Sequence, residues 1–402
     1  MSKTFKFFTF FLLFFNILLY SGCTQKKGQE SFVNEIVEFA SQQYGLQTAI
    51  IEESGEVLNP KTIIDGKVRY IRPREWTSGF FPGSMWYMYE LTGDEKWKNL
   101  GIKYTEAIEE VKNLTSHHDV GFMIGSSFGN GLRLGGSEAY KDVIVQAAKS
   151  LSTRFRPAAG IIQSWNVTGG WQAERGWECP VIIDNMMNLE LLFKATEISG
   201  DSSFYNIAVR HADKTMEHHF RPDYTTWHVI DYSLEDGTIR NKHTAQGYAH
   251  ESTWARGQAW AIYGYVVCYR ETGNKKYLEQ AKKAFEAVAQ HQNMPEDKVP
   301  YWDFNAPDIP NTYRDASSAA IIASALYELA NYDNKHYYKT WADDIIQSLS
   351  GENYRAVIGE NGNFLLMHSV GSIPHGSEID VPLNYADYYF LEALKRKRDL
   401  EI

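Results

Sequence analysis

The sequence predicts an all-α fold, an (α/α)6 barrel of six helical hairpins, and three observations carry that expectation. A joint that ends one helix and starts the next recurs along the chain: Glu-Leu-Thr-Gly-Asp-Glu-Lys-Trp at 90–97, Glu-Ile-Ser-Gly-Asp-Ser-Ser-Phe at 197–204 and Glu-Thr-Gly-Asn-Lys-Lys-Tyr at 271–277. Glycine suits a helix end, and Asp or Asn suits the start of the next helix. Every second helical stretch is rich in apolar and small residues and poor in lysine, as a buried helix should be, while its partner carries the charges. The last apolar stretch, Leu383 to Leu394, is as apolar as the middle ones. An open solenoid would present a polar terminal cap there, so a closed ring is favoured.

Taken in order, residues 1–22 read as a lipoprotein-type signal peptide. Lys3 and Lys6 form a basic start, and the apolar run from Phe7 to Tyr20 is short for a membrane-spanning helix. Cys23 follows as the expected lipidation site, and residues 23–30 as a polar tether. Export is therefore expected, to the periplasm or cell surface of a bacterium, with the membrane touched only through a lipid on Cys23. Residues 31–402 are expected to form a single catalytic domain. Helices are predicted near 31–44, 80–91, 95–111, 120–132, 137–154, 183–198, 202–217, 252–270, 275–291, 313–331, 335–348 and 382–396. The helices starting at 80, 120, 183, 252, 313 and 382 form the inner ring. The partners are amphipathic, such as the stretch with Lys282, Lys283 and Glu286.

In such a toroid the starts of the inner helices converge on one face. The segments leading into them hold Trp76 and Phe80, His117-His118-Asp119, Asp184-Asn185, Trp254-Ala-Arg256 with Trp260, and Arg314-Asp315. A cleft lined by flat aromatics and hydrogen-bonding groups, with no phosphate loop, suggests a carbohydrate site. Each acid has an ordinary alternative as a helix cap, and for Asp315 that is the preferred reading. For Asp119 and Asp184 together chemistry is preferred, because paired carboxylates are the usual acid–base machinery of sugar cleavage. His117-His118-Asp119 lacks the helical His-x-x-x-His spacing of zinc sites, so neither a metal nor another cofactor is expected. Arg256, buried among apolar neighbours, requires an anionic partner: Glu251, Asp315 or a substrate carboxylate. The two later cysteines, Cys179 and Cys268, read as core thiols. With a formal net charge of −10, nucleic acid is not an expected partner; losing Lys3 and Lys6 with the leader takes the charge to −12.

Four motifs together resemble the unsaturated glucuronyl hydrolases of glycoside hydrolase family 88: Trp76-Thr-Ser-Gly-Phe-Phe-Pro-Gly83, His118-Asp-Val-Gly-Phe122, Ile183-Asp-Asn-Met-Met-Asn188 and Ser252-Thr-Trp-Ala-Arg-Gly-Gln-Ala-Trp260. The resemblance runs in order over the chain beyond the leader, and it implies the same (α/α)6 barrel. It implies removal of a 4,5-unsaturated uronic acid from the non-reducing end of polysaccharide-lyase products, of glycosaminoglycan or ulvan type, by hydration of the C4=C5 vinyl ether. By the same resemblance Asp184 matches the general acid and base, and Asp119 the second essential carboxylate. Trp76, Phe80, His118, Trp165, His228, Gln246, Trp254, Arg256 and Trp260 match positions around the substrate. Three departures stand out. Ala245 replaces a histidine common just before the glutamine, with His243 nearby. The segment from Val167 to Cys179 is elongated. The loop His368–Ser377 lacks the lysine with which some relatives read sulfate. Two alternatives remain at this level: an unsaturated rhamnogalacturonyl hydrolase on pectin fragments, and a non-catalytic glycan-binding lipoprotein.

Overall fold

The computed structural model describes residues 32–401. The expected leader, Cys23 and the tether lie outside the described residues. Helix α1 covers 32–53, followed by the hairpin of β1 (Asn59–Ile64) and β2 (Lys67–Ile71), then α2 (Phe80–Thr92) and α3 (Glu95–Glu106). Helix α4 is a composite rod, with α-helical turns at Val120–Ile124 and Asn130–Arg133 joined through a π-turn at Gly125–Gly129. Next come α5 (Tyr140–Ser152), the two-residue strands β3 (Phe155–Arg156) and β4 (Ile161–Ile162), and β5 (Cys179–Ile182). Beyond it lie α6 (Leu189–Ser199), α7 (Ser202–His218), β6 (Val229–Tyr232) and β7 (Ile239–His243). The chain closes with α8 (Ala255–Thr272), α9 (Lys275–Ala289), α10 (Ala316–Leu329), α11 (Lys335–Leu349), β8 (Ser369–Ser372), β9 (Ser377–Val381) and α12 (Asn384–Glu401).

The recurrent joints do what their residues suggest. Gly93, Gly200 and Gly273 end α2, α6 and α8 in the left-handed conformation, with φ of 71°, 75° and 65°. Asp94, Asp201 and Asn274 then cap α3, α7 and α9 by accepting the backbone N–H two residues on, at 2.9, 2.9 and 3.2 Å. Even-numbered helices form the inner ring and odd-numbered ones the outer. Closure is direct, since α12 packs on both α10 and α2. Arg398 donates to the carbonyls of Glu90 and Leu91, each at 3.0 Å, and the Tyr87 hydroxyl donates to Glu392 at 2.6 Å. One continuous apolar core runs from Ile36 on α1 to Leu394 on α12. Among the described residues no helix is long and apolar enough to cross a membrane.

The inner helix expected over 183–198 is a correction. Val181 and Ile182 belong to β5, the edge of a three-stranded antiparallel sheet in the order β5-β6-β7. A 3-10 turn covers Ile183–Asn188, and the α-helix begins only at Leu189. All four β5 residues are buried, so the apolar run reads alike as buried strand or buried helix.

Within the ring, toward the C-terminal halves of α2, α4, α8 and α12, lies a cavity of about 360 Å³ lined by Tyr87, Arg133, Glu190, Tyr263, Arg270 and Glu392. Phe122 and Tyr389 also line it. Both pack against Trp260, at ring distances of 5.2 and 5.5 Å, and Phe80 lies 5.7 and 5.9 Å from the same pair. These four rings form an aromatic floor that separates the polar cavity from the opposite mouth.

Candidate active site

At that opposite mouth the starts of the inner helices meet. Asp184 stands on the 3-10 turn just after β5. The sheet fixes its position: Ile183 N–H donates to the His228 carbonyl at 3.0 Å, and His219 Nε2 lies 3.1 Å from the Val181 carbonyl. Asp119 precedes α4 and reaches the same place through Ser164. Ser164 accepts the His118 N–H on its carbonyl at 3.1 Å and the Ile182 N–H on its hydroxyl at 3.0 Å. It therefore ties the Asp119 segment to the strand that carries Asp184. Further in, Asn188 accepts the Phe122 N–H at 2.8 Å. A Cβ on Gly121 would fall 2.5 Å from that Asn188 oxygen, so the close approach of α4 to the Asp184 turn requires glycine.

The two acids have opposite environments. Burial raises the Asp184 pKa to about 7 against the opposing charge of Arg256, and the charge of Asp119 adds to the rise. The Trp260 indole acts to lower it, yet its buried N–H makes no hydrogen bond. Burial would likewise raise Asp119. The imidazoles of His118 and His117, 3.3 and 2.9 Å from its two oxygens, more than offset that and hold it below the usual carboxylate range. Asp184 thus titrates near neutrality while Asp119 is held ionised, so the two environments push the carboxyls apart. Asp119 holds the N-cap position of α4 but its side chain makes no capping bond, and Asp184 lies inside the 3-10 turn, whose cap position is Ile182.

His228 sits at the end of the Asp184 sheet. Its Nδ1 accepts the N–H groups of Ala245 and Gln246 at 3.1 and 3.2 Å, so in the neutral ring the proton is on Nε2. That nitrogen lies 3.6 Å from Asp184 Oδ2. Burial, then the positive field of Arg256, hold the His228 pKa well below its ordinary value. Asp184 Oδ2, His228 Nε2 and Trp260 Nε1 are all buried without a protein partner. Unpartnered buried polar atoms are costly and uncommon, and their gathering here marks a site shaped for something polar.

The remaining expected residues divide into those that face this pocket and those that support it. Trp76 is half-buried, edge-on to Phe80 at 6.0 Å and Phe122 at 5.5 Å. Phe80 and Trp260 have no exposed surface, so they brace neighbouring rings rather than presenting a face. Arg256 pairs with Asp315 at 3.2 Å, donates to the carbonyls of Val370 and Gly371, and stacks on Trp254 at 4.6 Å. Of the three partners considered for it, Asp315 is the one in contact. Asp315 also caps α10, accepting the Ser317 N–H at 3.1 Å. Gln246 donates to the Gly371 carbonyl at 3.1 Å, and Trp254 packs on His228 at 4.5 Å. Trp165 pairs by backbone with His117 and stands edge-on to His228 at 6.4 Å.

Sequence reasoning passed over several neighbours. His117, the closest imidazole to Asp119, stood in a quoted motif but was weighed only as a metal ligand. Tyr385, 5.2 Å from Trp76 with its hydroxyl unpartnered, carried no signal beyond an apolar helix start. Trp171, Arg175 and Trp177 lie in the elongated segment, and His375 in the lysine-free loop. His243 does not occupy the place of Ala245. It accepts the Trp177 indole N–H at 2.9 Å and stacks on His250, while Ala245 packs with Trp177, Ile182 and Val229.

Comparison with known proteins shows the family to which this chain belongs. Residues 57–399 match the family Glycosyl Hydrolase Family 88. The chain belongs to glycoside hydrolase family 88. An unsaturated glucuronyl hydrolase of Formosa agariphila is 45% identical over 392 residues, covering 97% of this chain and 96% of that protein. The crystal structure of an unsaturated glucuronyl hydrolase specific for heparin superposes with a TM-score of 0.87 at 41% identity, covering 92% of this chain and 98% of the other. A mutant unsaturated glucuronyl hydrolase from Streptococcus agalactiae, complexed with dGlcA-GalNAc6S, gives a TM-score of 0.76 at 29% identity, covering 91% and 92% of the two chains. The chain is thus a family 88 glycosidase with the (α/α)6 barrel of those structures.

Proposed function

We propose that this family 88 enzyme removes a 4,5-unsaturated uronic acid from the non-reducing end of oligosaccharides released by polysaccharide lyases, with Asp184 as the acid and base. The observation that carries the reading is a buried Asp184 carboxyl with a pKa near 7, beside Asp119 held ionised by two imidazoles. A general acid at neutral pH requires such a protonated carboxyl. The relatives above, named as unsaturated glucuronyl hydrolases, favour a glucuronyl over a rhamnogalacturonyl substrate.

In this mechanism the Asp184 carboxyl carries the acidic proton, with His228 Nε2 3.6 Å from its Oδ2, beyond hydrogen-bond reach. That proton passes to C4 of the substrate, and positive charge develops at C5 and the ring oxygen. Water adds at C5 and gives its own proton to the Asp184 carboxylate, which returns to the acid form. One water is consumed and no net proton is exchanged with the protein. The C5 hemiketal opens to a ketone, and the hemiacetal left at C1 expels the second sugar. Asp119 accepts hydroxyl groups of the sugar, and its charge helps keep Asp184 protonated between turnovers. Trp76 and Trp165 supply aromatic faces for sugar rings, and Arg256 with Gln246 holds the Gly371 carbonyl at the edge of the site.

The test is loss of the alkene ultraviolet absorbance of an unsaturated disaccharide. Wild type bleaches it, while Asp184→Asn folds normally and does not. Near-normal bleaching by that variant would remove Asp184 from the role. A protein that only binds glycans would leave the chromophore untouched in both forms. We further infer export with a lipid on Cys23, which metabolic labelling with a radioactive fatty acid tests: Cys23→Ala should lose the label.

A further inference from the structure

The elongated segment between Trp165 and Cys179 builds a second surface beside the Asp184 pocket. Trp165 and Trp177 stack at 5.9 Å and 22°, and Trp171 meets both edge-on at 5.1 and 5.8 Å. This indole wall starts at His228, through Trp165, and ends at His375 in the β8–β9 hairpin, 4.9 Å from Trp171. Arg175 lies on the wall, its guanidinium 4.9 Å from the Trp177 ring and donating to the Thr244 carbonyl at 2.5 Å. The Thr244 hydroxyl is in turn 3.4 Å from His228 Nδ1.

Arg175 is exposed and, among the described residues, has no carboxylate within ion-pair distance. Its positive field reaches four histidines, opposing protonation of His228, His243, His250 and His375. Four imidazoles and an arginine therefore share one corner, and no acid among the described residues pairs directly with Arg175, in a protein whose net charge is −10. The Thr244 carbonyl takes one donor of the guanidinium and Trp177 one face, which leaves further N–H donors without a partner among the described residues. His375 is held by Ser372, whose hydroxyl is 2.7 Å from its Nδ1.

We propose that Arg175, on the wall of Trp165, Trp171 and Trp177 and facing His375, reads an anionic substituent on the sugar that follows the unsaturated uronate. Trp165 and Trp171, both half-buried, supply flat faces for that ring while the buried Trp177 backs the wall, and the guanidinium takes the oxyanion, a sulfate ester or a carboxylate. The proposal rests on the lyase-product reading of the Asp184 pocket.

The test compares wild type, Arg175→Ala and Arg175→Lys on three unsaturated disaccharides: one with a neutral second sugar, the same compound bearing a 6-sulfate, and one whose second sugar is a uronate. Wild type should show a lower KM for at least one anionic substrate than for the neutral one. Arg175→Ala should raise that KM about tenfold, equivalent to about 1.4 kcal/mol, with kcat and the neutral substrate changed less than twofold. Arg175→Lys should recover part of the loss, because a point charge replaces the fork. The substrate that responds identifies sulfate or carboxylate as the group read. Equal effects on neutral and anionic substrates, or no effect on any, overturn the subsite while leaving the Asp184 assignment intact. Failure of wild type to bleach all three overturns both readings together.

Discussion

The role proposed for Asp184 rests on a carboxyl whose pKa is displaced upward, and two expectations follow at the scale of this residue. The acid must be protonated to deliver a proton to carbon, so kcat/KM should fall on the alkaline side through an apparent pKa of about 7. The group expected behind the fall is Asp184 and not His228, which burial and Arg256 keep neutral across that range; the pH–rate profile should then retain its alkaline limb in His228→Gln. Stability carries the same signature with a defined sign. A folded-state pKa above the unfolded value means that the native protein holds an extra proton between about 4 and 7. The contribution of Asp184 to stability is then fully present below about pH 4 and is lost as pH rises through about 7. Asp184→Asn removes that dependence. Its stability relative to wild type should therefore increase by on the order of 2–4 kcal/mol between about pH 4 and pH 8, as measured by denaturant unfolding. A raised carboxyl alone does not mark a catalyst. Asp387 is also displaced to about 7 by burial, yet it accepts the N–H groups of Leu365 and Leu366 and the Tyr44 hydroxyl, and so pins a loop and α1 to α12. What separates the two is that Asp387 has its partners, whereas Asp184 Oδ2 has none.

Among the elements, the hairpin joints were legible because their signal is local. Glycine in the left-handed conformation followed by Asp or Asn defines α2–α3, α6–α7 and α8–α9 within a few residues. The sheet that positions Asp184 was not legible. Its strands are four or five residues long, β5 shows no alternation because all its residues are buried, and its partner β6 lies more than forty residues further along. The order of Asp119 and Asp184 along the chain was readable, but the tie between their segments runs through Ser164, a residue without a distinctive pattern. Asp315 shows how one element-level group serves two purposes, capping α10 and neutralising Arg256. Asp315→Ala should therefore cost about 3–5 kcal/mol, the range for breaking a buried pair, well above the value of a cap alone. Chemical denaturation of the variant measures this, and a loss near 1 kcal/mol would mean that the Val370 and Gly371 carbonyls suffice to hold Arg256.

Over the whole molecule, a ring of helices places two polar spaces back to back. The aromatic floor of Phe80, Phe122, Trp260 and Tyr389 divides the Asp184 pocket from the cavity around Glu190, Arg270 and Glu392. Phe122→Ala should destabilise the fold by about 3–5 kcal/mol through the void it leaves. It should also admit water beneath Asp184, lowering its pKa and moving the alkaline limb of the pH–rate profile to lower pH. A profile unchanged in Phe122→Ala would show that the other three rings keep the two spaces apart. With these four rings packed across the interior, a polysaccharide strand is expected not to thread past Asp184; a chain terminus is the part expected to reach it, so trimming would proceed one residue per visit.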